Sequence, residues 1–255
     1  MKVNLIPMAG AGQRFKDAGY TTSKPLLDTD GIPMVVRAAM ALPKADLYIF
    51  VCREAQLLEN DLSGVLNKYF TNVLIITTNS LTEGQAITCL LAEKNIPEDA
   101  ILTIGASDND MVYDELQLGN FLLDEKTMGW IWTFRQNKLV LQDPNMYGWV
   151  KVNQENALEI SCKKQISENP LNDHAIIGAF TFKKAKIFFD SIRKMIAENK
   201  RINNEFYVDI AADYVIQNFG GIKVFEVKQY ICWGTPKDYE EYNNWLTYFR
   251  SRPAK

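Results

Sequence analysis

The chain has 255 residues, 47% hydrophobic and 23% charged, proportions ordinary for a globular protein and sufficient for one large α/β domain. Its formal net charge of -3 argues against nucleic acid or an anionic membrane as main partner, because both reward a basic surface. No segment approaches the roughly 20 apolar residues that a membrane-spanning helix needs. The first residues lack the apolar run of a signal peptide. Cys52, Cys89, Cys162 and Cys232 form no C-x-x-C pair, so neither a disulfide framework nor a structural zinc site is expected. The expectation is a cytoplasmic protein with reduced thiols.

Apolar runs of strand length at residues 3–6, 47–51, 73–76 and 100–104 alternate with helix-period segments. Pro33 suits the first turn of a helix that Pro43 stops. Leu58, Leu62, Val65 and Leu66 give residues 55–70 helical spacing, and Ile87, Leu90 and Leu91 share one face of a helix over 86–94. This alternation predicts an α/β fold, a mainly parallel Rossmann-like sheet flanked by helices. After Gly129 the pattern changes to strands at 130–134, 149–152, 158–162 and 175–182 joined by short turns, an antiparallel extension or flap. Trp130 and Trp132 alternate in one of these strands, and at least one is expected to pack in the core. His174, the single histidine, precedes a strand and is expected in a solvent-facing turn. Helices over 185–200 and 208–218, a strand over 223–227 and a closing helix over 237–250 complete the chain. The expected organisation is one domain over 1–255, with halves 1–125 and 126–255.

The most informative segment follows the first strand: Met8, Ala9, Gly10, Ala11, Gly12, Gln13 and Arg14, then Ser23, Lys24, Pro25 and Leu26. Glycines let the chain turn sharply after a strand and approach phosphate oxygens closely, and consecutive amides can form an anion-binding nest. Arg14 and Lys24 add positive charge. A dinucleotide-binding turn is the competing reading, since Asp30 lies about 20 residues beyond the loop as that motif expects. Gly19, Pro25 and the turn at 28–31 interrupt the continuous helix and second strand that it requires. A purely structural glycine turn is the third reading.

The ordered pattern Pro-x-Ala-Gly-x-Gly-x-Arg-Phe at 7–15, Gly19-Tyr20, Lys24-Pro25-Leu26 and Gly31-Ile32-Pro33-Met34 resembles the signature of sugar-phosphate nucleotidyltransferases with a glycosyltransferase-A-like fold. Ser23 stands where that family usually has proline. The resemblance implies a Mg²⁺-dependent transfer of an NMP group from a nucleoside triphosphate to a phosphorylated small-molecule acceptor. Residues 1–125 would form the nucleotide-binding half and 126–255 the acceptor-binding half. Within the family the chain resembles short cytidylyltransferases of bacterial capsule pathways, which implies CTP as the nucleotide and, more narrowly, phosphoglutamine as the acceptor. A sugar 1-phosphate with CTP, UTP or dTTP is the alternative acceptor reading. A non-catalytic nucleotide-binding regulatory homologue is the alternative from another class, and a homodimer is compatible with either.

Asp108 and Asp110 follow the fourth strand. In an open parallel sheet, ligands bind beyond the strands' carboxyl ends where the order reverses, here in an expected 3-2-1-4 arrangement. A carboxylate there suits Mg²⁺, which takes oxygen ligands and keeps several waters. Asp108 is the preferred metal ligand, with Asp110 second; both could instead be turn residues. The family's second acid, just before Gly234-Thr235-Pro236, is missing here, leaving Asp209 and Asp238 as candidates. Thr82, Glu83, Gly84 and Gln85 lie after the third strand. Thr82 with Gln85 fits a capping box, and the resemblance adds contact with the nucleobase. Tyr147, Gly148, Trp149, Lys163 and Glu205 match acceptor-facing positions of the family. Cys162 replaces a glutamate that relatives pair with the lysine, which points away from an ordinary sugar acceptor. The resemblance thus makes Arg14, Lys24 and Asp108 the expected catalytic set.

Overall fold

The computed structural model of the chain describes residues 1–59 and 61–252. In chain order, β1 (Lys2–Pro7) is followed by α1 (Gln13–Asp17), α2 (Met34–Ala41) and β2 (Leu47–Arg53). Next come α3 (Glu54–Glu59), α4 (Leu62–Tyr69), β3 (Val73–Thr78), α5 (Gln85–Leu90) and β4 (Ile101–Ile104). Then β5 (Asn109–Val112), α6 (Glu115–Leu123), β6 (Gly129–Phe134), β7 (Gly148–Asn153), β8 (Asn156–Cys162) and β9 (His174–Phe182). The chain closes with α7 (Ala185–Ala197), α8 (Val208–Phe219), β10 (Ile222–Glu226), β11 (Gln229–Cys232) and α9 (Pro236–Arg250).

The main sheet has nine strands in the order β3-β2-β1-β4-β9-β6-β10-β8-β7. Its first four strands are parallel, in the 3-2-1-4 order expected from the sequence. β9 then runs antiparallel to both β4 and β6, while β10 returns parallel to β6. β1 is buried on both faces, which is why its sequence is a continuous apolar run rather than an alternating one. Val3 and Leu5 pack with Ala86 of α5 and Phe188 of α7 in one layer. Ile6 packs with Val35 and Val36 of α2 in the other. The fold is therefore a mixed α/β sheet between two helical layers. Among the described residues, no helix is long and apolar enough to cross a membrane.

Several local expectations are corrected. The helix expected over 55–70 is two helices, α3 and α4; Asn60, within the expected span, lies outside the described residues. Asp61 adopts φ 44°, a left-handed conformation, and caps α4 by accepting from the Gly64 amide at 3.2 Å. α6 escaped the reading although Asp114 is a strong N-cap, accepting from the Leu116 and Gln117 amides at 2.9 and 3.1 Å. Both Trp130 and Trp132 are buried. The turn expected at 28–31 is present, and Asp30, the candidate ribose ligand of a dinucleotide site, is instead paired with Arg250.

The anticipated Thr82–Gln85 capping box does not form. Gly84 is the N-cap of α5, without a side-chain cap, and the Thr82 hydroxyl donates to the Gly84 carbonyl at 3.1 Å. Gly84 has φ 119°, and a Cβ there would stand 2.6 Å from the Phe206 backbone N and O. The close approach is held by two backbone bonds, Phe206 N–H to Glu83 O at 2.8 Å and Ala86 N–H to Phe206 O at 3.0 Å. Gly84→Ala is therefore expected to destabilise the protein by about 3 kcal/mol or more, since strain and a backbone clash combine. Urea titration of the variant measures this, and a loss below about 1 kcal/mol would contradict it.

His174 is buried rather than solvent-facing, because it is the first residue of β9 and opposes Val150 of β7. Its Nδ1 lies 2.9 Å from the Thr133 hydroxyl. Burial, then the Arg135 charge, lowers its pKa below 6.5. Below pH 6.5 the unfolded chain therefore binds more protons than the folded one. This stabilising contribution is complete at higher pH and is lost as pH falls through the folded value. The melting-temperature advantage of the wild type over His174→Gln should shrink between about pH 7.5 and about pH 5. A constant difference would show that His174 contributes no such linkage.

Candidate active site

The carboxyl ends of β1, β2 and β4 open onto a cleft of about 320 Å³. Met8, Gly10, Ala11 and Gly12 line one wall. Gly12 sits at φ 64° as the N-cap of α1, a left-handed turn that glycine adopts without cost. It lets the loop double back at once into a five-residue helix. Lys16, Lys24, Arg53, Gln56, Gln85 and Asp108 supply the polar groups around the same cleft.

Lys24 Nζ lies 2.6 Å from Asp108 Oδ2 and donates to the Gly234 carbonyl at 3.0 Å. It also stands 4.9 Å above the centre of the Phe15 ring. With side-chain exposures of 17% and 30%, the pair faces the cleft but is partly withdrawn from water, where a charge-assisted bond is stronger than on an open surface. A small antiparallel ribbon delivers these partners. β5 pairs with β11, setting Asn109 opposite Cys232, and Trp233 N–H donates to Asp108 O at 2.9 Å. The C-terminal segment is thus tied to the end of β4, and its Gly234 carbonyl reaches Lys24. Neither ribbon strand was visible in the sequence, because Asn109-Asp110 reads as a turn and β11 is only four residues long.

The other nominated residues divide. Ala9 is buried in the loop. Gln13 donates to Asp17 at 2.6 Å. Arg14 is exposed on α1 and does not reach the cleft wall, where Lys16 stands instead. Of Thr82, Glu83, Gly84 and Gln85, only Gln85 borders the cleft. Glu83 pairs with Arg201 at 2.7 Å. Arg53 was missed. The rule that ligands gather at strand carboxyl ends could have found it at the end of β2.

The donor set for a divalent cation is narrow. Asp108 faces the cleft with an ammonium beside it, and one carboxylate with phosphate oxygens and water is enough for Mg²⁺. Asp110 accepts from its neighbour Met111 N–H at 2.7 Å, and burial raises its pKa with Arg37 opposing. Asp238 closes the capping box of α9 by accepting from Thr235 N–H and Oγ1 at 3.1 and 2.6 Å. Cys232 stands beside Asp108 and Asp238, and burial followed by those two charges pushes its thiol up to about 12. A protonated thiol is a poor ligand for a hard cation. No group of three or more His, Cys, Asp or Glu side chains able to hold a metal occurs among the described residues.

Tyr147, Gly148, Lys163, Tyr207 and Asp209 form a second polar group. Gly148 has no room for a Cβ because Asp209 Oδ1 occupies that space. Burial raises the Asp209 pKa, and the nearby Lys163 charge opposes the rise. Lys163 donates to Met146 O, has φ 58° and stands 5.7 Å from the centre of the Tyr207 ring. Burial, then the exposed Glu205, pushes Tyr207 up to about 12. Asp209 therefore accompanies Gly148 and Lys163, while Trp149 is buried, donating from Nε1 to Pro144 O at 2.9 Å.

Solved structures share this architecture. The nucleoside-diphosphate-sugar pyrophosphorylase from Vibrio cholerae RC9 matches with a TM-score of 0.77 and 18% identity over 94% of this chain and 99% of its own. The inositol-1-phosphate CTP transferase from T. maritima matches with a TM-score of 0.72 and 14% identity, covering 100% and 98%. HddC from Yersinia pseudotuberculosis matches at 0.67 with 19% identity, covering 96% and 100%. At such identities the likeness is one of fold. No family model and no curated protein sequence matches the chain.

Because its thiol is pushed up to about 12, Cys232 should stay protonated and react slowly with iodoacetamide in the folded protein. The rate should show no titration step near about pH 8.5, where an unperturbed thiol ionises. Mass spectrometry of alkylated peptides across pH checks this, and a step near that pH in folded protein would contradict it.

Proposed function

We propose that the chain is a nucleotidyltransferase that transfers an NMP group from a nucleoside triphosphate to the phosphate of a small acceptor, releasing pyrophosphate. The observation that carries this reading is the glycine loop sharing one cleft with a Lys24–Asp108 pair at 2.6 Å. An acceptor phosphate oxygen would attack the α-phosphorus as the bond to the β-phosphate oxygen breaks. That oxygen is already ionised at neutral pH, so the protein's task is alignment and charge neutralisation rather than proton abstraction. Loop amides at 10–12 and Lys16 would hold the β- and γ-phosphates. Lys24 would donate to the α-phosphate, and its bonds to Asp108 and Gly234 hold the ammonium ready for that contact. Asp108 is the residue that would hold Mg²⁺, which when bound supplies positive charge to the phosphate oxygens.

CTP is the favoured nucleotide and phosphoglutamine the favoured acceptor. The CTP choice rests on the sequence pattern and on the fold shared with a protein described as an inositol-1-phosphate CTP transferase. The acceptor would sit near Tyr147, Gly148, Lys163 and Asp209, where Lys163 offers a point charge for its phosphate. Cys162, at the position where a glutamate would meet sugar hydroxyls, argues for a non-sugar acceptor over a sugar 1-phosphate. One observation favours a second reading, a nucleotide-binding homologue without turnover: the acid expected just before Gly234-Thr235-Pro236 is missing, and Cys232-Trp233 stands there instead.

Pyrophosphate release separates the two. Mg·CTP with phosphoglutamine should release pyrophosphate, while exchange of the acceptor for sugar 1-phosphates should slow it. Asp108→Ala and Lys24→Ala should each lower turnover by about 10²–10³-fold with an unchanged circular dichroism spectrum. No release with any triphosphate and acceptor would leave the regulatory reading, and undiminished turnover in either variant would remove that residue from the site.

A further inference from the structure

Three buried side-chain nitrogens among the described residues have no hydrogen-bond partner: Trp130 Nε1, Trp233 Nε1 and Arg53 Nε. Only the third belongs to a charged group, and only the third stands on the wall of the cleft that holds the glycine loop. Leaving a guanidinium N–H desolvated without an acceptor is costly. An arginine kept in that state calls for a ligand that completes it. Other arginines are satisfied within the protein: Arg37 donates to Thr29 O at 2.8 Å, and Arg135 forks onto Glu226.

The position of Arg53 decides what it can meet. It ends β2, and Gln85 opens α5 soon after β3, so both flank the cleft on the β2–β3 side. Lys24 and Asp108 close the cleft on the β1–β4 side. A triphosphate whose α-phosphate lies at Lys24 must carry its nucleoside toward the opposite wall. Gln56 is buried, and its Oε1 accepts Arg53 N–H at 2.8 Å. That bond fixes the backbone from which the guanidinium projects, so the donor fork starts from a set point rather than from a free loop.

We infer that Arg53 is a specificity-determining residue that reads the cytosine ring of the nucleotide through its O2 and N3 atoms. The inference rests on the nucleotidyltransferase reading and narrows it. A guanidinium presents two parallel donors, and cytosine places two acceptors, O2 and N3, side by side. Uracil and thymine carry an N–H at N3, which would face a donor with a donor. Next along the cytosine edge is the N4 amino group, a donor that a Gln85 amide oxygen can accept. Guanine also offers adjacent acceptors, at O6 and N7, so GTP is the control for a fork that reads a purine edge instead.

Titration calorimetry of the full chain with Mg²⁺ and, separately, CTP, UTP, GTP and inorganic tripolyphosphate tests this. Wild type should bind CTP about 10–100-fold more tightly than UTP, the scale of one good bidentate base contact. Arg53→Lys keeps the charge and loses the fork. It should bring CTP down to the UTP affinity while leaving UTP and tripolyphosphate unchanged. Arg53→Gln should do the same, and its tripolyphosphate binding reports that the variant is folded. An equal loss for tripolyphosphate would make Arg53 a phosphate ligand and overturn the inference. So would unchanged CTP binding in both variants, or a wild type that prefers UTP or GTP; each of these leaves the transferase reading standing. A wild type that binds no triphosphate would overturn both.

Discussion

The site depends on where one ammonium is held. Lys24 Nζ sits between the Asp108 carboxylate and the Gly234 carbonyl and above the Phe15 ring. These three partners come from stretches of chain far apart in sequence, at residues 15, 108 and 234. Partly withdrawn from water, neither charge is well satisfied alone, and removing one leaves the other poorly compensated. The pair therefore selects the geometry that brings the glycine loop, the end of β4 and the segment before α9 to one point. β5 and β11 serve that selection: their pairing sets Cys232 opposite Asn109 and carries Gly234 to within reach of Lys24.

The parallel half of the fold was legible because burial on both faces writes a simple code. Continuous apolar runs at β1 to β4, separated by helix-period segments, read as a mainly parallel sheet, and the strands stand in the order 3-2-1-4. What could not be read were features decided by tertiary partners. β5 carries Asn109 and Asp110, residues that favour turns, and becomes a strand only because β11 pairs with it. His174 looked like a turn residue and is buried because β7 and Thr133 cover it. Gly84 was named with its neighbours as a nucleobase contact; its missing side chain admits the backbone of Phe206.

Among the site residues, the same distinction separates the motif from its neighbours. Lys24 and Asp108 were nominated from a loop after β1 and a strand end; Asp108 follows β4, and Lys24 reaches it from the short helical turn at 24–26. Arg14 was nominated because it is in the motif. The left-handed Gly12 starts a helix only five residues long, and on that short turn Lys16 rather than Arg14 borders the cleft. Arg53 carried no motif at all. Its signal is positional, the end of a central parallel strand, and energetic, a buried donor without an acceptor.

Residues 1–125 and 126–255 are joined at a place that bears on the proposed transfer. Arg201 pairs with Glu83 at 2.7 Å and lies 4.1 Å from the centre of the Phe206 ring. The Phe206 backbone bonds on either side of Gly84. This seam connects the start of α5, whose first residue Gln85 borders the glycine-loop cleft, to the segment just before Tyr207 and Asp209. A displacement at one end cannot be absorbed by side-chain rotation, because backbone meets backbone there. Where an acceptor phosphate must lie in line with an α-phosphorus, a small misplacement costs rate steeply. Under the proposed transfer, the turn at 82–84 would act as a rigid joint between the Lys163–Asp209 region and the Lys24–Asp108 cleft, with Gln85 on the cleft side of it.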